Sequence, residues 1–225
     1  MGYRGSSDYR KMRLSDFRAV VGRSGCDIRC FGTKRVWIVA IMPTDGAERF
    51  EANFGSEILR TVFRHWNDAR GGRAMPSRND IDPYRLGRAL PNVWHYERGA
   101  DGEFSCRLSG ELINRAHSQS IMKRPARDVL GPDYDYPIRQ RMNFVLDTPA
   151  VLFASMAAPA DGRSVTRISL PLCNSEGRPT FTFGASEYLD PDRHVDRDTA
   201  LVGRADHIVT FSLPDFRQLQ SDGTN

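Results

Sequence analysis

Phe50, Phe54, Ile58, Val62 and Trp66 recur every fourth residue, the spacing that lines apolar side chains along one face of a helix. Asp45 and Glu48 precede the ladder at capping-box spacing. Gly55 interrupts it, so the helix can start afresh near Ser56, and Gly71-Gly72 ends it. Further on, the pattern changes to that of strands. Val93 to Arg98 and Glu103 to Ser109 read as a hairpin around Asp101-Gly102, a strong turn signal. Helical stretches follow at Glu111 to His117 and Ala126 to Leu130. After the Gly131-Pro132 break, a longer helix runs from Tyr134 or Pro137 to Asp147, with Ile138, Met142, Val145 and Leu146 as its apolar face and Pro149 as its stop. Three more strands are predicted at Val151 to Met156, Ser164 to Leu172 and Thr180 to Tyr188. The turns between them are short enough to make antiparallel neighbours. Ile168, Leu170 and Leu172 share a face, as do Phe181 and Phe183, so the sheet is expected to be covered on one side.

The order strand, strand, helices, strand, strand, strand lacks a βαβ rhythm and specifies an α+β fold. It predicts a five-stranded antiparallel sheet with short helices on one face, preceded by an amphipathic helix. The organisation expected is a basic extension over 1–44 with an extra strand at Val36 to Met42, the amphipathic helix over 45–72, the α+β domain over 73–190 and a C-terminal extension over 191–225. That last segment allows a strand or helix around Ala205 to Leu213, and residues 1–35, without sustained periodicity, read as loosely attached.

Between the first helix and the sheet lies PSRNDIDPYRLGRALPNVWHYERG. Asp82 before Pro83 is an N-cap followed by proline at the first helical position, where the missing N–H costs nothing. Ile81 and Leu86 occupy the positions of a hydrophobic staple, predicting about two helical turns that end before Pro91. Arg78, Asp80, Asp82 and Pro83 form the motif loop. Arg78 could offer its fork of donors to an anion, or it and Asp80 or Asp82 could fix the loop; the second reading is favoured.

Composition narrows the function classes. The 225 residues are 40% apolar and 27% charged, with a net charge of +4. The most apolar run, VWIVAIM, is only a strand's worth and far short of a membrane span. It is flanked like neither a signal peptide nor a cleavage site, so the cytoplasm is the expected location. Arginines are interspersed with acidic residues outside the N-terminal segment, which argues against a nucleic-acid footprint. Cys26, Cys30, Cys106 and Cys173 match no zinc spacing and read as reduced thiols, and the five histidines are too dispersed for a metal site. Ser109, Ser155 and Ser169 carry hydroxyls, but no nucleophile elbow, Walker loop or His-Glu-x-x-His motif selects a catalytic residue.

The stretch LRTVFRHWNDARGGRAMPSRNDIDPYRLGRALPNVWHYE, with FSCRLSG, ISLPLCNSEGRP and TFGAS further on, resembles the PAS sensory domains, in particular an alphaproteobacterial stand-alone subfamily once counted as a domain of unknown function. The family's recurring features fall on Trp66, Arg70-Gly71, Pro76-Ser77-Arg78, Asp80, Asp82-Pro83 and Leu90-Pro91. Relatives commonly continue with Gly-Thr after the second strand and a later Gly-Arg step; this chain has Gly110-Glu111 and Met122-Lys123-Arg124-Pro125.

The resemblance implies a sensory or regulatory module without catalysis, which acts through protein contact and can hold a small ligand between sheet and helices. The candidate lining is Val93, Phe104, Leu108, Leu112, Ile113, Met142, Leu170 and Phe183; such side chains also suffice to make a filled core. Phe54, Ile58, Val62 and Trp66 are the candidates for a homodimer contact, although the same stripe could bury itself in the chain's own core. A separate signalling protein is the expected output partner. Of the cofactors PAS domains carry, haem would need His117, an isolated histidine beside Ser118 and Gln119. Flavin photochemistry would need a cysteine motif that Cys106-Arg107-Leu108 does not match. Neither is expected. The alternative function is an enzyme or small-molecule carrier using the same pocket.

Overall fold

The computed structural model describes residues 20–21, 27–30, 37–40, 46–131, 138–158, 163–188 and 207–213. Helix α1 (Gly46–Glu51) and helix α2 (Glu57–Arg70) split the predicted ladder where Gly55 interrupts it. The Ser56 hydroxyl caps α2 by accepting from the Leu59 N–H at 3.3 Å, and Gly71, at φ 53°, turns the chain out of it. The staple helix is shorter and tighter than expected. One α-turn, α3 (Pro83–Leu86), passes into a 3-10 run, Gly87–Asn92, that includes Pro91. Its Asp82 cap, which accepts from the Tyr84 N–H at 2.9 Å, and the buried Leu86 are where the sequence placed them.

Strands β4 (Val93–Arg98) and β5 (Phe104–Ser109) form the first hairpin. Helices α4 (Glu111–Ala116), α5 (Ala126–Leu130) and α6 (Arg139–Asp147) lead to strands β6 (Ala150–Ala158), β7 (Arg163–Cys173) and β8 (Pro179–Tyr188). The first and last blocks join where β4 pairs with β8, giving a five-stranded antiparallel order β6-β7-β8-β4-β5. The sheet is larger than predicted. β9 (His207–Ser212) adds antiparallel to β6, and short strands β1 (Val20–Val21), β2 (Asp27–Cys30) and β3 (Trp37–Ala40) extend it, β3 lying parallel to β9. Part of the N-terminal segment read as loosely attached is therefore paired into the sheet.

The sheet is covered on both sides, not one. On the back face, α1 and α2 bury Phe50, Leu59, Val62, Phe63 and Trp66 against Val151, Ile168, Leu170, Phe183 and Phe211. On the front face, α4 to α6 bury Ile113, Val129 and Met142 against Trp94, Tyr96, Phe104 and Cys106. Along β7 and β8 consecutive residues, Ile168 to Leu172 and Phe181 to Ser186, are buried because both faces are covered. Burying side chains of this size contributes roughly 1.5–3 kcal/mol apiece, which fixes α2 to the back more firmly than its propensity could. Arg98 reaches Asp147 at 2.6 Å and Asn143 at 3.2 Å, tying the end of β4 to α6.

Candidate functional site

The front face is shaped by β4, whose run Val93-Trp94-His95-Tyr96 is buried on both sides. Trp94 and Tyr96 turn towards α4 to α6, ring edge to ring face at 5.8 Å. The Trp94 indole N–H donates to the Ser186 hydroxyl at 2.9 Å, and the Asn92 amide donates to the Ser186 carbonyl at 3.0 Å. Gly184 sits between Trp94 and Ser169 in the register. A Cβ there would lie 2.0 Å from the Ile168 carbonyl oxygen and 2.7 Å from the indole, so glycine is what lets the ring lie across β8.

Beside this ring the helices do not close completely on the sheet. A cavity remains, with an empty volume of about 630 Å³ including the solvent at its mouth. Its apolar wall is Ile113, Leu130, Ile138, Met142 and Leu152. Its polar wall comes from His117, Arg141, Arg167, Ser169, Ser186 and Tyr188. Cavities of apolar walls with a few placed polar groups are where small molecules bind. No aspartate or glutamate is among the described residues lining it.

Arg167 stands opposite Ala154 and Ser186 in the register, and its Nη2 is buried with no hydrogen-bond partner. Its charge is felt by its neighbours. His117 is pushed down to about 4, first by burial and then by Arg167, so it is a neutral imidazole near pH 7. Burial holds the Tyr188 phenol above its ordinary value, with Arg167 and a Ser186 hydrogen bond pulling the other way. The wall thus presents fixed positive charge alongside neutral hydroxyls. Burying a guanidinium nitrogen unpaired costs free energy, and no carboxylate among the described lining residues offsets it.

The eight lining residues expected from the sequence are not brought together. Ile113 and Met142 line the cavity, and Phe104 packs in the same front-face cluster. Val93, Leu170 and Phe183 belong to the back-face core, with Leu108 packed against it, and Leu112 is half-buried. Leu108 is separated from Phe104 and Cys106 by a register shift opposite His95/Tyr96, which turns it to the other face. The dimer candidates are also spent internally: Phe54, Val62 and Trp66 are 1%, 0% and 0% exposed in the single chain, and Ile58 packs partly buried against the same core. A dimer contact made by that stripe is corrected by this burial. His117 does reach the cavity, whereas Arg167, Arg141 and Tyr188 were not singled out. Arg167 lies on the alternating polar side of β7, which reads as a solvent face; the missed signal was the aromatic pair Trp94 and Tyr96 facing that same side.

The motif loop is a strap rather than part of the cavity. Ser77 and Asp80 form a reciprocal cap, Arg73 pairs with Asp80 at 2.8 Å, and the Asp82 N–H donates to His65 Nε2 at 2.9 Å. The Cys173 N–H donates to the Pro76 carbonyl at 3.0 Å. Arg78 makes neither carboxylate contact; its guanidinium lies 5.7 Å from the Phe181 ring centre. Pro83 opens α3, as its fixed φ allows. Trp66 donates its indole N–H to the Pro171 carbonyl at 2.9 Å, and Arg70 lies over the Trp66 ring. Together these bonds hold α2 and the strap on the β7–β8 hairpin. The Cys106 thiol, raised to about 11 chiefly by burial, donates to the Leu108 carbonyl and is inert at neutral pH. Among the described residues no group of three His, Cys, Asp or Glu side chains could hold a metal ion.

An antiparallel sheet of order β6-β7-β8-β4-β5, with a partly open cavity under the intervening helices, defines a PAS-type sensory domain. The chain belongs to the PAS domain family, whose model matches residues 55–186. Among solved structures it is similar to the ligand-binding domain of the Pseudomonas aeruginosa PAO1 amino acid chemoreceptor PctC, in complex with GABA. The identity is 14% and the TM-score 0.30, over 64% of this chain and 57% of that one. No curated protein matches the chain. No described helix is long and apolar enough to cross a membrane.

Proposed function

We propose that this chain is a cytoplasmic, non-catalytic regulatory module that takes a small molecule into the front-face cavity and passes the signal on by protein contact. The observation that carries this reading is the cavity itself. The back face is a filled core, whereas the front keeps open space beside a buried, unpartnered Arg167 nitrogen. A ligand that binds one arrangement of α4 to α6 more tightly than another shifts the population between them, and only such a difference in affinity can transmit a signal. The cavity-facing edges of α4 and α6 are where that difference would arise. A separate signalling protein is the receiver in this reading. A homodimer remains part of the proposal, using a surface other than the buried α2 stripe.

The test compares the protein with Ala154→Leu, which adds bulk to the cavity wall. Native mass spectrometry and melting curves against a small-molecule panel should show a retained or added ligand in the parent chain and none in the variant, with circular dichroism unchanged. A visible absorption spectrum of the same sample reads any haem or flavin directly. Equal binding by both chains would overturn the reading.

A further inference from the structure

We infer that the cavity's ligand is a small organic carboxylate, its head held by Arg167 and its apolar body resting against Trp94, Ile113 and Met142. The inference rests on reading the cavity as a ligand site and adds the chemical class. A guanidinium is cationic at any pH a protein survives, and the buried Nη2 of the half-buried Arg167 has no hydrogen-bond partner to answer that charge. Among the described residues lining the cavity no carboxylate supplies the counter-charge, which a ligand would bring. The polar companions of Arg167 on the wall are hydroxyls, a His117 that is neutral near pH 7, and a second cation, Arg141, none of which supplies negative charge.

The shape of the donor set favours a carboxylate. Guanidinium presents a planar fork that matches the two oxygens of a carboxylate, and Ser169 and Tyr188 add neutral donors on the same wall. The apolar side of the wall, Ile113, Leu130, Ile138, Met142 and Leu152, gives the rest of the ligand hydrocarbon to rest on. Arg167 acts as a binding residue; no covalent step is involved.

The experiment uses the full chain and its Arg167→Gln and Ala154→Leu variants, at constant ionic strength. The probes are hexanoate and phenylacetate, with hexanamide and phenylacetamide as neutral twins. In the parent chain the acids should raise the melting temperature in a saturable way and bind at least about tenfold more tightly than the amides. Arg167→Gln should lose the shift with the acids, and without any probe it should melt close to the parent, because the buried Nη2 it removes has no hydrogen-bond partner. Amides that bind as well as acids, or acids that still bind Arg167→Gln, would overturn the carboxylate. So would an Arg167→Gln chain that melts well below the parent, since that reveals an internal partner for the arginine. Amides that bind as well as acids and lose that binding in Ala154→Leu would leave the cavity's ligand role standing while removing this inference. Silence from both series would count against both.

Discussion

Replacing Trp66 by alanine tests whether α2 belongs to this chain's own back face. The indole is fully buried among Phe63 and the β7–β8 side chains, and its N–H donates to the Pro171 carbonyl at 2.9 Å across 105 residues of sequence. Truncating a buried aromatic costs about 3–5 kcal/mol, and leaving the Pro171 carbonyl without its donor adds about 1 kcal/mol. Against a total of about 5–15 kcal/mol for a domain, Trp66→Ala should leave the fold marginal. Trp66→Phe keeps most of the buried area and should cost only about 1–2 kcal/mol. Urea unfolding followed by far-ultraviolet circular dichroism measures both, and light scattering on the same samples gives the mass. The reasoning is refuted if Trp66→Ala unfolds at the parent's urea midpoint while the mass halves, for then α2 faces a second subunit.

His95 and His117 are both pushed down to about 4, by burial first and by nearby arginines second. The unfolded chain takes up these protons near 6.5 and the folded chain does not, so stability is complete above that pH and is lost as pH falls towards 4. At about pH 5 each histidine should have removed about 2 kcal/mol, and His95→Gln should flatten that part of the urea-midpoint profile. Lys123 adopts φ 65°, in the left-handed region; Lys123→Gly should stabilise by about 0.5–1 kcal/mol, read as a rise in melting temperature. Gly184→Ala, driven into the Ile168 carbonyl and the Trp94 ring, should destabilise by about 1–3 kcal/mol and shift the tryptophan emission; an unchanged emission would mean that Trp94 does not lie on β8.

Much of the fold was legible because its signals are local. The capped start at Asp82, the Asp101-Gly102 hairpin and the proline stop after α6 each rest on one or two residues, and the strands they delimit are found within a few positions of where they were expected. The block from Trp66 to Pro91 was legible as a motif, but its purpose was not, since Pro171 and Cys173 complete it from the far end of the chain. The same limit explains the lining residues. Apolarity does not tell which side of a strand a residue occupies, and one register irregularity between His95 and Tyr96 sends Leu108 to the back while Cys106 stays in front. Alternation made Arg167 look like a solvent residue. Only the helices arching over β7 make that side an interior, and their path was not written in the strand.

The two faces can be told apart in a single spectrum. Met142 lines the cavity and Met75 is buried in the back-face core, and both report through their ε-methyl groups in a sample labelled with carbon-13 methionine. On titration with hexanoate or hexanamide, the Met142 methyl should move in a saturable way while Met75 stays still. A bound probe that moves Met75 and leaves Met142 unchanged would contradict a filled back face and a receptive front.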